Sequence, residues 1–183
     1  MFTLALRKTH IATSEAILLG CAIAIHQPLP AIVTEAVGVW LGCQLPDIDQ
    51  KQTRVNKRGG LFTRILTLWG HRTWSHSIWI PIMLLICALY LSSLSFSHGI
   101  SVNGTYVMEY LYYSIVLGYF LHEVEDSFSI EGIRWFYPLG DTRIVRKKGL
   151  LKYKVGGTKE QIILIVATLL IITEIIWIGY LYI

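Results

Sequence analysis

The sequence predicts an all-α, polytopic membrane bundle of about five transmembrane or partly re-entrant helices with a cytoplasmic amino terminus, and three observations carry that expectation. Apolar residues make up 54% of the chain and charged residues only 15%, a balance too oily for an ordinary soluble domain. The apolar residues gather into long runs separated by short polar segments. Threading those runs through a bilayer leaves all 16 Lys and Arg residues on one side, and basic loops are the ones retained in the cytoplasm.

The elements follow in order. After Arg7 and Lys8, residues 11–25 and 31–45 form two short apolar helices joined by the turn His26-Gln27-Pro28-Leu29-Pro30, whose prolines interrupt a helix. Each run is shorter than the ~20 residues of a full crossing, and each carries an acid, Glu15 or Glu35. The pair therefore reads as a hairpin, re-entrant or spanning, whose ends return to one side. Residues 46–75 form a polar segment with six cationic side chains, which belongs in the cytoplasm. The next apolar run, 78–94, leads to a Ser/Gly/Asn-rich stretch, 95–105, without a basic residue, as an outer loop requires. Residues 106–121 return inward, 122–160 carry eight more cations, and 162–183 form the last span.

The 183 residues read as one domain in the inner (cytoplasmic) membrane, crossing it several times. A net charge of +4 could suggest nucleic acid, but the cations sit beside apolar spans, where anionic lipid headgroups account for them; no nucleic-acid partner is expected. Cys21, Cys43 and Cys87 all lie within apolar runs and lack C-x-x-C spacing, which argues for packing over disulfides or thiolate metal sites. The first run carries Glu15 and leads to no small-residue cleavage site, so no cleavable signal is expected. Trp69, Trp74 and Trp79, with Trp135 and Tyr137, mark the inner boundary as an interfacial belt, a lipid-entry groove being the alternative.

The chemistry gathers on that inner side. His10 lies at the inner end of the first helix, Asp47 and Asp49 follow the second, His71 and His76 precede the third, and His122 and Asp126 close the fourth. Singly, each is as well explained as a cap or a dipole partner. Together they form an imidazole and carboxylate set suited to zinc first, with manganese, iron or magnesium as alternatives. His122 and Asp126 are four apart, one turn along a single helix face, where both can reach one ion. Asp47 and Asp49 flank the Leu45-Pro46 turn, and a divalent cation would relieve their repulsion.

These segments also resemble a known family. Gly42-Cys43-Gln44-Leu45-Pro46-Asp47-Ile48-Asp49, Gly70-His71-Arg72-Thr73-Trp74-Ser75-His76-Ser77, and Gly118-Tyr119-Phe120-Leu121-His122 continuing through Asp126, Ser129, Gly132 and Pro138 are similar to successive motifs of the YdjM-like family. Its members are described as LexA-regulated, membrane-bound, metal-dependent hydrolases. The family pattern reads G-H-R-G-x-T-H-S, with Thr73 and Ser75 standing here for the glycine and threonine, and Ser129 replaces a threonine after the Asp. The resemblance implies a metal site of His10, Asp47, Asp49, His71, His76, His122 and Asp126, and relatives often place a glutamate where Glu160 stands.

Seven ligands exceed one tetrahedral ion, so one or two divalent ions are expected, acting on an ester-type bond and most naturally on a phosphoester of a lipid or amphiphile. Arg72 is the candidate anion clamp. Glu160, Glu123 or Glu125 is a candidate general base, with a solvated helix end as the default for the last two. Glu15 is a candidate partner to a ligand or a neutral buried acid. A transporter or sensor carrying the ion is the alternative, distinguished by a site near the bilayer midplane rather than at helix ends. A structural subunit without metal is a third possibility. Oligomeric state is left open.

Overall fold

In the computed structural model, residues 3–49, 74–98, 100–102, 105–140 and 152–182 are described. The chain is helical: α1 (Thr3–Ala24), α2 (Leu29–Gly42), α3 (Trp79–His98), α4 (Val107–Ser127) and α5 (Thr158–Tyr182). Short 3-10 turns at Pro46–Asp49 and Trp74–His76 carry the chain out of α2 and into α3. Among the described residues the paired β-structure is limited to Ser101–Val102 against Thr105–Tyr106 in the loop before α4 and an isolated bridge between Ser129 and Tyr153.

The expected helices are present, with informative differences at their ends. The Pro28 to Pro30 turn ends the hairpin's first arm and starts its second, since Pro28 is the N-cap of α2 and Pro30 occupies its first turn, where a missing N–H costs nothing. At the other end of the bundle, α4 runs past its apolar stretch to Ser127. That extension holds His122, Glu123, Glu125 and Asp126 on regular helical spacing. The Ser129 hydroxyl closes it by donating to the Asp126 carbonyl at 2.8 Å.

Packing divides into two seams, α2 on α4 and α1 on α5, with α3 against α4. The first seam is built from small residues. A Cβ added to Gly42 would lie 2.1 Å from the Ile115 carbonyl oxygen, one on Gly118 2.5 Å from the Val39 oxygen, and one on Gly38 within 1.8 Å of the Ser114 hydroxyl. Gly38 and Gly42 on one helix face Ser114 and Gly118 on the other at four-residue spacing, the arrangement that lets two backbones approach closely in an apolar medium. Apolar clusters of Leu18, Val39 and Cys43, and of Leu19, Ala22 and Ile32, fill the space between α1 and α2. Cys43 is the buried packing cysteine; Cys21 and Cys87 are exposed.

Among the described residues one helix, α5, is long and apolar enough to cross a membrane, while α2 and residues 79–94 are shorter apolar helices. Its side chains are mostly uncovered: Ile176 is 67% exposed and Leu169 59%. The interior holds more polar chemistry than is usual. His10, His76, His122, Glu123, Asp126 and Glu160 are all essentially buried, and side chains of these types are rarely buried unless paired or used.

Candidate metal centre

Four separate segments deliver donors to one place. His10 comes from α1, Asp47 from the turn after α2, His76 from the turn before α3, and His122 and Asp126 from the last turns of α4. Asp126 sits among them. Its Oδ1 lies 3.4 Å from His10 Nε2, and its Oδ2 lies 3.4 Å from His76 Nε2 and 3.8 Å from His122 Nε2. His122 Nε2 is also 3.9 Å from Asp47 Oδ1. The rings of His10 and His122 stack with centroids 4.2 Å apart, and His76 meets His122 edge-on at 5.6 Å. Two overlapping triads result, His10 with His122 and Asp126, and Asp47 with His76 and His122.

The far side of each ring explains why the donors point inward. His122 Nδ1 lies 2.8 Å from the Cys43 carbonyl oxygen, and a carbonyl only accepts, so Nδ1 carries the proton and Nε2 keeps its lone pair. That bond depends on the glycine-lined seam, which sets Cys43 against α4. His10 Nδ1 is hydrogen-bonded to Glu125, whose other oxygen accepts from Thr13 Oγ1 at 2.6 Å and Ser14 Oγ at 3.0 Å. Glu125 thereby fixes the ring and its tautomer from behind, as carboxylates behind metal-binding histidines do. His76 Nδ1 faces Ser75 Oγ at 2.9 Å, and the Tyr119 hydroxyl of α4 donates to the Ser75 carbonyl and pins that turn.

These groups lie beyond the apolar stretches of α1 and α4, and their ionisation reflects close quarters. Burial would lift the Asp126 carboxyl, but the His10 and His76 rings beside it and the nearby His122 hold it well below the usual carboxylate range. His122 is pushed well below the ordinary imidazole value by burial and by neighbouring His10. His10 is raised to about 10 because the Asp126 and Glu125 carboxylates against it outweigh the opposing effect of burial. The Nε2 atoms of His10 and His122 are buried and, among the described residues, make no hydrogen bond of ordinary geometry. Imidazole nitrogens and carboxylates oriented this way are the donor set of zinc and related divalent ions, and the residues fit such a metal.

Five of the seven expected ligands thus converge. Asp49 lies in the same turn as Asp47, but its side chain, like His71 and Arg72, falls outside the described residues. Glu160 is buried at the first turn of α5, accepting from Thr9 Oγ1 at 3.1 Å and from the Gly156 amide, so it ties α5 and the preceding loop to α1 beside His10. Glu15 is half-buried farther along α1, whereas the carboxylate that holds the His10 ring is Glu125. The expectation of solvated helix ends for Glu123 and Glu125 is corrected: Glu123 is fully buried and Glu125 faces α1. Burial, with Asp126 one turn on, raises the Glu123 carboxyl to about 9. The helix continues past Leu121, so these acids meet neighbours instead of water.

Among the described residues, five helices surround a buried His and Asp cluster and one of them is long and apolar enough to cross a membrane, which defines a helical protein with a candidate metal centre. The chain belongs to the YdjM inner membrane protein family, whose model matches residues 6–182. No curated protein matches it. No solved structure matches it either.

Proposed function

We propose that this protein is a multi-pass inner-membrane hydrolase whose metal centre faces the cytoplasm and cleaves a phosphoester of a lipid or another amphiphile. The observation that carries the reading is the convergence of five buried donors from four chain segments, with the Nε2 edges of three imidazoles turned toward one carboxylate. A site for stability alone would not gather six ionisable side chains at the bundle's interior, given the cost of burying them.

His10, His76, His122, Asp47 and Asp126 would hold the metal, zinc being best suited to this mixture of nitrogen and oxygen donors. When bound, a divalent ion supplies Lewis acidity to an ester oxygen and lowers the pKa of a water toward neutrality. Asp126 presents one oxygen toward His10 and the other toward His76 and His122, so it can serve one ion or lie between two. With a metal bound and His10 deprotonated, Glu125 and the Cys43 carbonyl would hold the His10 and His122 rings by Nδ1, so that Nε2 faces the ion. Arg72, next to His71 in sequence, is assigned the role of anion clamp because its planar fork matches phosphate oxygens.

Location supports this reading over metal transport. The donors lie near the start of α1, in the last turns of α4, after α2 and before α3, whereas transport sites sit near the bilayer midplane on interrupted helices. Purified protein is expected to retain a transition metal in fixed stoichiometry by elemental analysis. His76→Ala and Asp126→Ala are expected to lose both the metal and turnover of a phosphoester panel; unchanged metal content in those variants would remove the basis for the proposal.

A further inference from the structure

Two cavities run end to end along α1. The upper, about 610 Å³, lies between α1 and α5, where Ala16, Gly20 and Ala167 leave room between the helices. The lower, about 310 Å³, is bounded by α1, α4 and the Tyr153 loop and ends on Glu125. Thr13, Ile17 and Ile163 line both, so the two adjoin. We propose that they form one continuous channel that holds a single acyl chain of a membrane amphiphile, with the amphiphile's polar end at Glu125. As the chain-binding arm of the substrate site, this rests on the membrane reading given above.

Three observations commit the channel to that occupant. First, the upper cavity is continuous with the uncovered face of the membrane-crossing helix: Ile162, Val166 and Leu170 line it and are each about half exposed or more. The hydrocarbon that solvates that face therefore also reaches the groove. Second, polarity is graded along its length. Thr13 and Cys21 are the only side chains in the upper lining with an oxygen or sulfur atom, whereas Thr9, Thr13, Glu125 and Tyr153 border the lower cavity. The Glu125 side chain keeps 15% of its surface exposed, and an anionic edge favours a hydrogen-bond donor such as a hydroxyl or amine on the entering molecule. Third, the length is right. Thr9 to Cys21 spans about 18 Å at ~1.5 Å per residue, close to the ~15 Å depth of one leaflet.

The arrangement would place a bound amphiphile's polar end one hydrogen bond from His10, through Glu125. The test uses the full chain in nanodiscs containing a phospholipid whose acyl chain carries a diazirine, with labelled peptides mapped by mass spectrometry. Label is expected to concentrate on the channel walls of α1 and α5. Ile17→Trp, which fills the junction of the two cavities from a position already 47% exposed, should remove most of it. Leu169→Trp, outside the channel lining on the same helix as Val166, should leave it unchanged. Label spread equally over the outward face around Leu169 and Ile176 would mean annular lipid only, and crosslinks to a second copy would mean a protein interface; either overturns the proposal.

The same variants separate this inference from the hydrolase reading. If wild-type protein cleaves phosphoesters, Ile17→Trp should slow long-chain substrates while sparing short water-soluble ones, and equal rates on both would overturn the channel alone. Channel labelling that Ile17→Trp removes, in a protein that cleaves no phosphoester, would sustain the channel and defeat the hydrolase.

Discussion

The α2–α4 seam and the α1–α5 seam solve opposite problems within one bundle. Between α2 and α4 there is no space for even a methyl group at Gly38, Gly42 or Gly118, because backbone or Ser114 already occupies it. Between α1 and α5 the helices stand apart around an open groove, and a Cβ on Gly20 would meet only the far end of the Glu174 side chain, at 3.0 Å. Both seams deliver a histidine to the metal centre. The close seam fixes His122 by packing, through the Cys43 carbonyl. The open seam cannot, so His10 is fixed by hydrogen bonds through Glu125, Thr13 and Ser14. A donor held within fractions of an ångström needs one or the other, and a helix that must leave room beside it needs the second.

The largest effect should come from one substitution made in both seams. Gly118→Ala drives a methyl into the Val39 backbone and must part α2 from α4, an overpacking that costs roughly 1–3 kcal/mol or more and pulls His122 away from Cys43. Gly20→Ala meets a flexible side chain, and by helix propensity alone it gains about 0.5–1 kcal/mol. Denaturant unfolding of the two variants in detergent should therefore give shifts of opposite sign. Two equal losses would show that both seams are equally close, contrary to the division drawn here.

Next in size is the hydrogen-bonded support of His10. Glu125→Ala should weaken metal binding about 10–100-fold, the range for removing a carboxylate behind a metal-bound histidine, as read by chelator competition. Thr13→Val combined with Ser14→Ala should weaken it less, because the carboxylate remains but loses its anchors. Affinity unchanged in Glu125→Ala would mean that packing holds His10 as it holds His122, and the contrast between the seams would collapse.

The sequence carried one half of this contrast more openly than the other. Apolar runs bounded by Pro28 and Pro30, and donors placed at run ends, were sufficient to bring His10, Asp47, His76, His122 and Asp126 to one interface. The close packing of Gly38 and Gly42 on Ser114 and Gly118 came from the structure alone, because small residues four apart on one helix do not say which helix they face. What defeated sequence reasoning was the end of α4. Apolar content stops at Leu121, and charged residues after an apolar run read as solvated, yet the helix continues to Ser127 and the 152–157 loop folds back over it, with Lys152 donating to the Ser129 carbonyl at 3.0 Å. Coverage by residues distant in sequence leaves no local signature. For that reason Glu125 was assigned to water when it faces His10, and Glu123 when it is buried.

Glu123 offers an effect that vanishes at low pH and is for that reason the most diagnostic. It is fully buried just below the apolar stretch of α4, and among the described residues neither carboxylate oxygen has a hydrogen-bond partner, a cost borne within the close-packed half of the bundle. Its carboxyl is raised from 4.5 to about 9 in the folded protein, so between those values the native state holds a proton that the unfolded chain has released. Stability must then fall as pH rises through that window: no penalty exists below about 4.5 and the full penalty stands above about 9. Glu123→Gln removes the titration while keeping the shape. It should be more stable than the parent chain by an amount that is near zero at low pH and grows to roughly 1–3 kcal/mol under alkaline conditions, measured by unfolding in detergent across the window. A difference that stays flat with pH would mean that Glu123 is ionised and compensated in the folded protein, and that this half of the bundle is as well satisfied as it is tightly packed.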